Sequence, residues 1–217
     1  MSDRDFAIGS DWDFRSFDWP ESDAIVAGAD LEPSTILAAY AQGLFPMPAD
    51  GELVWWSPVE RGVLGPGDLR VSSSLRKSLK NFTFTVDQDF EAVIGHCADP
   101  DRPAGWIDSD IREAYVRLHH EGWAHSVETR DSSGRLVGGL YGLMVGGLFC
   151  GESMFHLERD ASKAALAHLV ELLSARDEWL IDTQWVTPHL ASLGVRTMAR
   201  DTYLGRIREI IGNSSRF

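Results

Sequence analysis

With 217 residues, 44% of them apolar and 24% charged, the chain can bury a proper core as one large domain or two small ones, and it is too apolar to be disordered. Its formal charge of −13 argues against a wrapped nucleic-acid partner, because phosphate binding draws on clustered Lys and Arg, while leaving room for a local basic patch. No run approaches the ~18 apolar residues of a membrane span, and the opening "MSDRDFAIGSDWDF" is acidic where a secretory leader is basic and then apolar, so the expectation is a cytoplasmic protein with no membrane partner.

The only cysteines, Cys97 and Cys150, are too few for a disulfide framework or a thiolate metal site and read as packing residues. Residues 1–24 carry seven acids against two arginines and read as an acidic lead-in segment. A small N-terminal domain of short elements is expected over 25–100. Its helix "EPSTILAAYAQG" has Pro33 and Ser34 at the start and Gly43 as its stop. "LFPMPADGELVWWSP" reads as loop and short strand, punctuated by Pro46, Pro48 and Gly51. "SSSLRKSLKN" predicts a short helix with Arg76 and Lys80 at spacing i, i+4 and Lys77 beside them. A strand "NFTFTVD" and a helix "QDFEAVIGH" follow.

The second domain is expected over 101–217. A helix through "DIREAYVRLHHEG" places Ile111, Tyr115 and Leu118 on one face and stops at Gly122. "AHSVETR", "RLVGGLYGLMV" and "LFCGESMF" then predict an antiparallel meander joined by "DSSG" and Gly146-Gly147 turns. Asp160 or Ser162 is placed to cap "ASKAALAHLVELL", with Leu166, Leu169, Val170 and Leu173 in its apolar stripe. The strand "WLIDTQWV" must then lie parallel to its predecessor. Meander, crossover helix and further strand is the order of an acetyltransferase-like mixed-sheet fold, so the fold class is α+β of α/β type.

Two features of these strands point to chemistry. Glu152 stands in an apolar frame, "LFCGESMF", where an unpartnered ionised carboxylate would cost several kcal/mol; it is either a solvated surface acid or the wall of a pocket. In "WLIDTQWV" a period of two sends Leu180, Asp182, Gln184 and Val186 to one face and Trp179, Ile181, Thr183 and Trp185 to the other. An acid opposite Asp182 would couple to it, and Glu152 is the candidate.

Several chemistries fit poorly. A coenzyme-A site wants a Gly-rich loop before the crossover helix, and "HLERDASK" offers Glu158 and Asp160 instead. His119, His120 and His125 form no HExxH pair, so no metal is expected, and "GESMF" is not a GxSxG elbow.

The strings "YAQGLFPM", "WWSPVERGVL", "GWI", "HSVE", "LVGGLYG", "FCGESMF", "ASKAAL" and "LIDTQ…HLASLG", in this order over about residues 25–205, resemble the bacterial leucyl/phenylalanyl-tRNA–protein transferase family. The resemblance implies an N-terminal domain followed by an acetyltransferase-like (GNAT-like) domain. It implies transfer of leucine or phenylalanine, with methionine a further candidate, from Leu-tRNA or Phe-tRNA to the α-amino group of proteins beginning with Arg or Lys, which marks them for degradation under the N-end rule. No cofactor is implied. Asp182 and Gln184 match the family's catalytic pair and Glu152 the acid that supports it. Met47, Trp106, Leu140 and Phe149 match pocket positions, and a bulge at Gly151 would bring Phe149 and Glu152 to one side. Arg76, Lys77 and Lys80 match a basic cluster near the tRNA 3′ acceptor end. Two other readings stand beside this one: an acetyltransferase-fold enzyme with another acyl donor, and a non-catalytic module that recognises basic protein N-termini.

Overall fold

In a computed structural model of the chain, residues 10–14, 19–102 and 105–211 are described. Most of the acidic lead-in, residues 1–9 and 15–18, lies outside them.

A three-stranded antiparallel sheet opens the fold, with β1 (Ala24–Ala27), β2 (Phe45–Ala49) and β3 (Glu52–Trp56) in the order β1-β3-β2. The first helix, α1 (Pro33–Tyr40), starts on Pro33, whose fixed φ and missing N–H suit a first helical position, and buries Ile36, Leu37 and Tyr40. The remaining strands make one seven-stranded sheet of order β10-β4-β9-β8-β7-β6-β5. They are β4 (Glu60–Leu64), β5 (Thr83–Val86), β6 (Ala124–Arg130), β7 (Leu136–Val145), β8 (Leu148–His156), β9 (Leu180–Gln184) and β10 (Arg196–Ala199). Every pairing is antiparallel except β8 with β9. This is a mixed α/β architecture, and its large sheet takes strands from both sides of residue 100.

The meander β6-β7-β8 forms as its strand runs and intervening turns predict, and the helix α5 (Ala161–Leu173) joins β8 to the parallel β9. Two layers cover the sheet. One joins α1, the helix α3 (Phe90–Cys97), the helix α4 (Ser109–His120) and the helix α7 (Arg200–Ile211) in a large apolar cluster that includes Tyr40, Tyr115, Leu180 and Tyr203. The other is a smaller cluster built on Leu166, Leu169 and Leu173 of α5, with Leu75 of the helix α2 (Ser73–Ser78) and Leu140, Phe149 and Ile181 of the sheet. Cys97 and Cys150 are free and buried. No helix among the described residues is long and apolar enough to cross a membrane.

Three local expectations need correction. The α2 helix ends at Ser78, so Lys80 lies in the 3-10 turn Leu79–Asn81 rather than one helical turn above Arg76. Asp160 does sit at the start of α5, but at φ +68°, and its carboxylate accepts from Ser78 Oγ and Lys163 Nζ, both at 2.9 Å, rather than capping the helix. The alternation in "WLIDTQWV" slips at Gln184: Trp185 packs with the cluster of Leu180, and Val186 with that of Ile181.

Candidate active site

The parallel register of β8 and β9 runs through Leu148–Leu180, Phe149–Ile181 and Cys150–Asp182. Cys150, and not Glu152, therefore stands opposite Asp182. Beyond that pair both strands are irregular. On β8, Tyr141 faces Ser153 while its neighbour Gly142 faces Gly151, so Glu152 is the extra residue of a bulge. On β9, Val63 faces Asp182 while Gly62 faces Gln184, so Thr183 is extra. Such bulges bend a strand and raise its twist. Gly62 is required beside the second one: a Cβ there would lie 2.7 Å from Thr183 Oγ1 and 2.8 Å from the carbonyl carbon of Trp185.

Where the pairing ends, a cavity of about 110 Å³ is walled by residues of both strands. Leu140, Phe149, Met154, Leu166, Leu169, Ile181 and Leu190, of the helix α6 (Pro188–Ser192), supply its apolar surface. Gly151, Glu152, Ser153, Thr183 and Gln184 supply the polar part. An apolar cavity of ~150 Å³ takes a benzene ring, so this one is of the order of a single apolar side chain.

Gln184 gives the cavity its clearest chemical feature. It is 8% exposed, its backbone is left-handed at φ +60°, and its side-chain nitrogen is buried without a hydrogen-bond partner. Native proteins rarely leave such a donor unmet, since the lost hydration costs ~1–3 kcal/mol. An unmet donor at the edge of an apolar cavity suits a ligand with an apolar side chain and a polar group beside it.

Glu152 is half-buried at the same wall, with its carboxylate turned toward the other layer. Tyr40 Oη donates to Oε1 at 2.7 Å, and Tyr40 and Tyr115 share a hydrogen bond of 2.5 Å between their hydroxyls. Desolvation pushes the carboxyl up to about 8. The nearby Asp182 charge adds to the rise, while hydrogen bonds from Tyr40 and Tyr115 and the Arg61 guanidinium pull against it. The group is thus mostly protonated near neutral pH, which resolves how an acid sits in so apolar a strand. Burial likewise holds the Tyr40 and Tyr115 hydroxyls well above their usual range, so both are neutral donors.

Asp182 is fully buried and does not line the cavity. Its Oδ1 accepts from Arg61 Nε at 2.8 Å and from the Gln184 N–H at 2.9 Å; its Oδ2 accepts from Arg61 Nη2 at 2.5 Å and Tyr203 Oη at 2.8 Å. Burial works against the Arg61 charge, but the Asp182 carboxylate outweighs it and raises the guanidinium above its already high pKa.

Of the sequence-derived pocket positions, Leu140 and Phe149 line the cavity. Met47 and Trp106 do not; both are partly buried against the larger cluster. Arg76, Lys77 and Lys80 are exposed on the surface of α2 and the turn after it. Leu75, between them and the core, packs into the cluster that walls the cavity. Arg61, Tyr203, Tyr40 and Tyr115 went unrecognised in the sequence as parts of the site. A signal for Arg61 existed, because an aspartate in a strand as apolar as "WLIDTQW" needs a buried cation.

Fold and site together define a mixed α/β protein whose central sheet opens into a cavity of single-side-chain size, with Gln184 and Glu152 among the residues that wall it. The family profile described as leucyl/phenylalanyl-tRNA protein transferase matches residues 63–208, and that of the family's N-terminal domain matches residues 29–59. The leucyl/phenylalanyl-tRNA–protein transferase of Azoarcus sp. (strain BH72) is 51% identical over 181 residues, 81% of this chain and 77% of that one. The protein of the same name from Shewanella sp. (strain MR-4) is 43% identical over 214 residues, 94% of this chain and 90% of that one. Among solved structures, one titled "The structure of L-PGS from Bacillus licheniformis" superposes at a TM-score of 0.44 and 8% identity, covering 71% of this chain and 65% of that one, a likeness too slight to define the fold. The chain belongs to the leucyl/phenylalanyl-tRNA–protein transferase family, and it is an aminoacyltransferase.

Proposed function

We propose that the protein transfers leucine or phenylalanine from the 3′ end of Leu-tRNA or Phe-tRNA to the α-amino group of proteins that begin with Arg or Lys, marking them for degradation in the cytoplasm. The observation that carries this reading is the unpartnered Gln184 amide beside an apolar cavity of side-chain size. An aminoacyl ester is already activated, so its aminolysis needs an amine that is neutral, close and aligned. The amine nitrogen attacks the ester carbonyl carbon, the bond to the ribose oxygen breaks, and that oxygen takes up the proton the amine gives up. No redox step or added group is required.

In this reading the donor's side chain fills the cavity against Leu140 and Phe149, and an extra or missing methylene changes discrimination by ~1–3 kcal/mol. Gln184 offers both a donor and an acceptor and aligns the reacting groups; as a neutral amide it acts by orientation. Asp182 serves at one remove by holding Gln184. Glu152, neutral in the free protein, is poised to ionise when a cationic N-terminus arrives, because an approaching positive charge favours the carboxylate. Met47 and Trp106 belong to a wider rim of the donor site, and Arg76, Lys77 and Lys80 meet the acceptor-end phosphates of the tRNA.

The parting of β8 and β9 after a single stretch of parallel pairing supports an acetyltransferase-like arrangement of the catalytic part. The membership of β4 and β5 in the large sheet supports a boundary with the small N-terminal domain nearer residue 60 than residue 100.

The test is transfer of labelled leucine from Leu-tRNA to an Arg-initiated peptide. The expected product is a Leu-Arg peptide, with Phe-tRNA as an alternative donor and no product from acetyl-coenzyme A. Peptide binding without any product would sink the enzymatic reading in favour of a recognition module, and acetylated peptide would assign another acyl donor.

A further inference from the structure

Arg61 is an unusual residue to find where it is. Its side chain is fully buried, and all three guanidinium nitrogens are committed: Nε and Nη2 to the two oxygens of Asp182, and Nη1 to the Gly43 carbonyl at 2.9 Å. Aromatic rings lie close to the guanidinium carbon, with the centroid of Phe45 at 4.9 Å and that of Tyr203 at 4.5 Å. The fork is therefore fixed in plane and direction, as bidentate arginine–carboxylate pairing requires. Tyr203, also fully buried, supplies one more donor to Asp182.

A buried ion pair is weak evidence for stability, since apolar residues of like volume often serve as well. What distinguishes this one is the fourth bond. With Arg61 and Tyr203 holding three of its hydrogen bonds, the Asp182 carboxylate presents Oδ1 to the N–H of Gln184, two residues on. Gln184 is there in the left-handed region, which costs a non-glycine residue energy and persists only where surroundings impose it. That conformation, with the bulge at Thr183, breaks the strand's alternation and places Gln184 in the wall of the cavity, while Asp182 itself stays out of it.

We propose that Arg61 and Tyr203 are positioning residues for aminoacyl transfer: they clamp Asp182 so that its carboxylate fixes the left-handed backbone of Gln184 and holds that side-chain amide at the cavity. This rests on the reading of Gln184 as the group that aligns the reactants. Neither Arg61 nor Tyr203 lines the cavity, so neither contributes to binding the donor's side chain. Their loss acts on kcat and leaves the KM for each substrate nearly unchanged.

The experiment combines single and double variants. Tyr203→Phe keeps volume and ring and removes one donor, and Arg61→Lys keeps a charge and loses the fork. With folding checked by thermal unfolding, Tyr203→Phe is expected to lower kcat about tenfold and Arg61→Lys up to about 100-fold, the scale of a displacement near 1 Å in the aligned group. In a Gln184→Ala background, followed by single-turnover transfer, either change is expected to add nothing, because its effect passes through Gln184. Amide exchange at Gln184 is expected to quicken in Tyr203→Phe, and this readout stands even where a double variant is too slow to assay or Arg61→Lys does not fold. Losses that multiply with that of Gln184→Ala, or an unchanged exchange rate at Gln184, would overturn the positioning roles and leave the site reading intact. Full activity in Gln184→Ala would overturn both.

Discussion

The two sides of the β8–β9 junction solve opposite problems. On the side of the larger cluster, charged and polar groups are deeply buried, and those around Asp182 and Glu152 are mostly paired: Arg61, Asp182 and Tyr203 satisfy one another, and Tyr40 and Tyr115 cover Glu152, while the neighbouring Tyr141 hydroxyl is left unmet. On the side of α5 the surroundings are nearly all apolar, yet a cavity is left open and one amide nitrogen is unmet. The contrast teaches where order is imposed and where it is used. The paired Arg61, Asp182 and Tyr203 can hold a strained backbone at Gln184, and an unmet amide can meet a ligand only if it is already in place.

The largest effect is expected from Asp182→Ala, which strikes the mostly paired side. It leaves the Arg61 guanidinium buried without its counterion, and breaking a buried pair in this way costs ~3–5 kcal/mol. In a chain of this length each kcal/mol is worth ~2–4 °C, so thermal unfolding should move down by about 10 °C while transfer falls at temperatures where the variant is still folded. The family resemblance implies only a catalytic loss here; the buried ion pair adds a loss of stability. Gln184→Ala is the complement. It removes a group that has no partner to lose, so stability should stay within about 1 kcal/mol while transfer falls. An Asp182→Ala protein that melts like wild type would erase the distinction between the two sides.

A smaller effect, and a sharper one, concerns Glu152→Gln. The carboxyl's ordinary value of 4.5 is raised to about 8 in the fold, so the folded protein holds this proton more tightly than the unfolded chain. Stability from that group is fully present below about pH 4.5 and is lost as pH rises through 8. Glutamine cannot ionise and carries no such loss. The melting temperature of Glu152→Gln minus that of wild type should therefore climb by several degrees from about pH 5 to pH 8 and level off above, because the other titrating groups are common to both proteins. A flat difference would mean that the carboxylate is already charged and solvated in the folded state. Transfer to an Arg-initiated peptide should fall with subsaturating acceptor, since a neutral amide gives a weaker contact to a cation than a carboxylate does.

How far the sequence exposes all this depends on the range of the interactions. The meander, α5 and β9 are legible because periods of two and 3.6 are properties of neighbouring residues. The bulges at Glu152 and Thr183 are one-residue slips set by pairing partners on β7 and β4, and a pattern of apolar and polar positions does not contain them. The bulge in β8 centres on Glu152 and not on Gly151, and it does not bring the two side chains to one face: Phe149 packs in the α5 layer while the Glu152 carboxylate turns to Tyr40 in the other. The stripe Leu166, Leu169 and Leu173 is likewise visible, but whether it packs solid or leaves a cavity is decided by the sheet beneath it. Arg61 escapes because "ERGVL" resembles an exposed strand end, and arginine is rarely buried without a partner. That partner is 121 residues away.

The smallest effect on the fold is expected at the basic patch, where the sequence is silent about everything except charge. Arg76, Lys77 and Lys80 are exposed, so replacing all three with alanine should leave stability within about ±0.5 kcal/mol per site and leave kcat unchanged. Neither side of the β8–β9 junction is touched. On the proposed reading what changes is the long-range attraction, because in a protein of net charge −13 these cations would be the ones that a polyanion meets. If each meets one phosphate of the single-stranded acceptor end, the slope of log affinity against log salt should flatten by about 2, and the KM for aminoacyl-tRNA at low salt should rise accordingly. A minimal aminoacyl-adenosine donor has no neighbouring phosphates and should react with the triple variant as it does with wild type. Equal losses with both donors would show that the patch acts on the cavity through Leu75 and the α5 layer, and its charge would then have no part in tRNA binding.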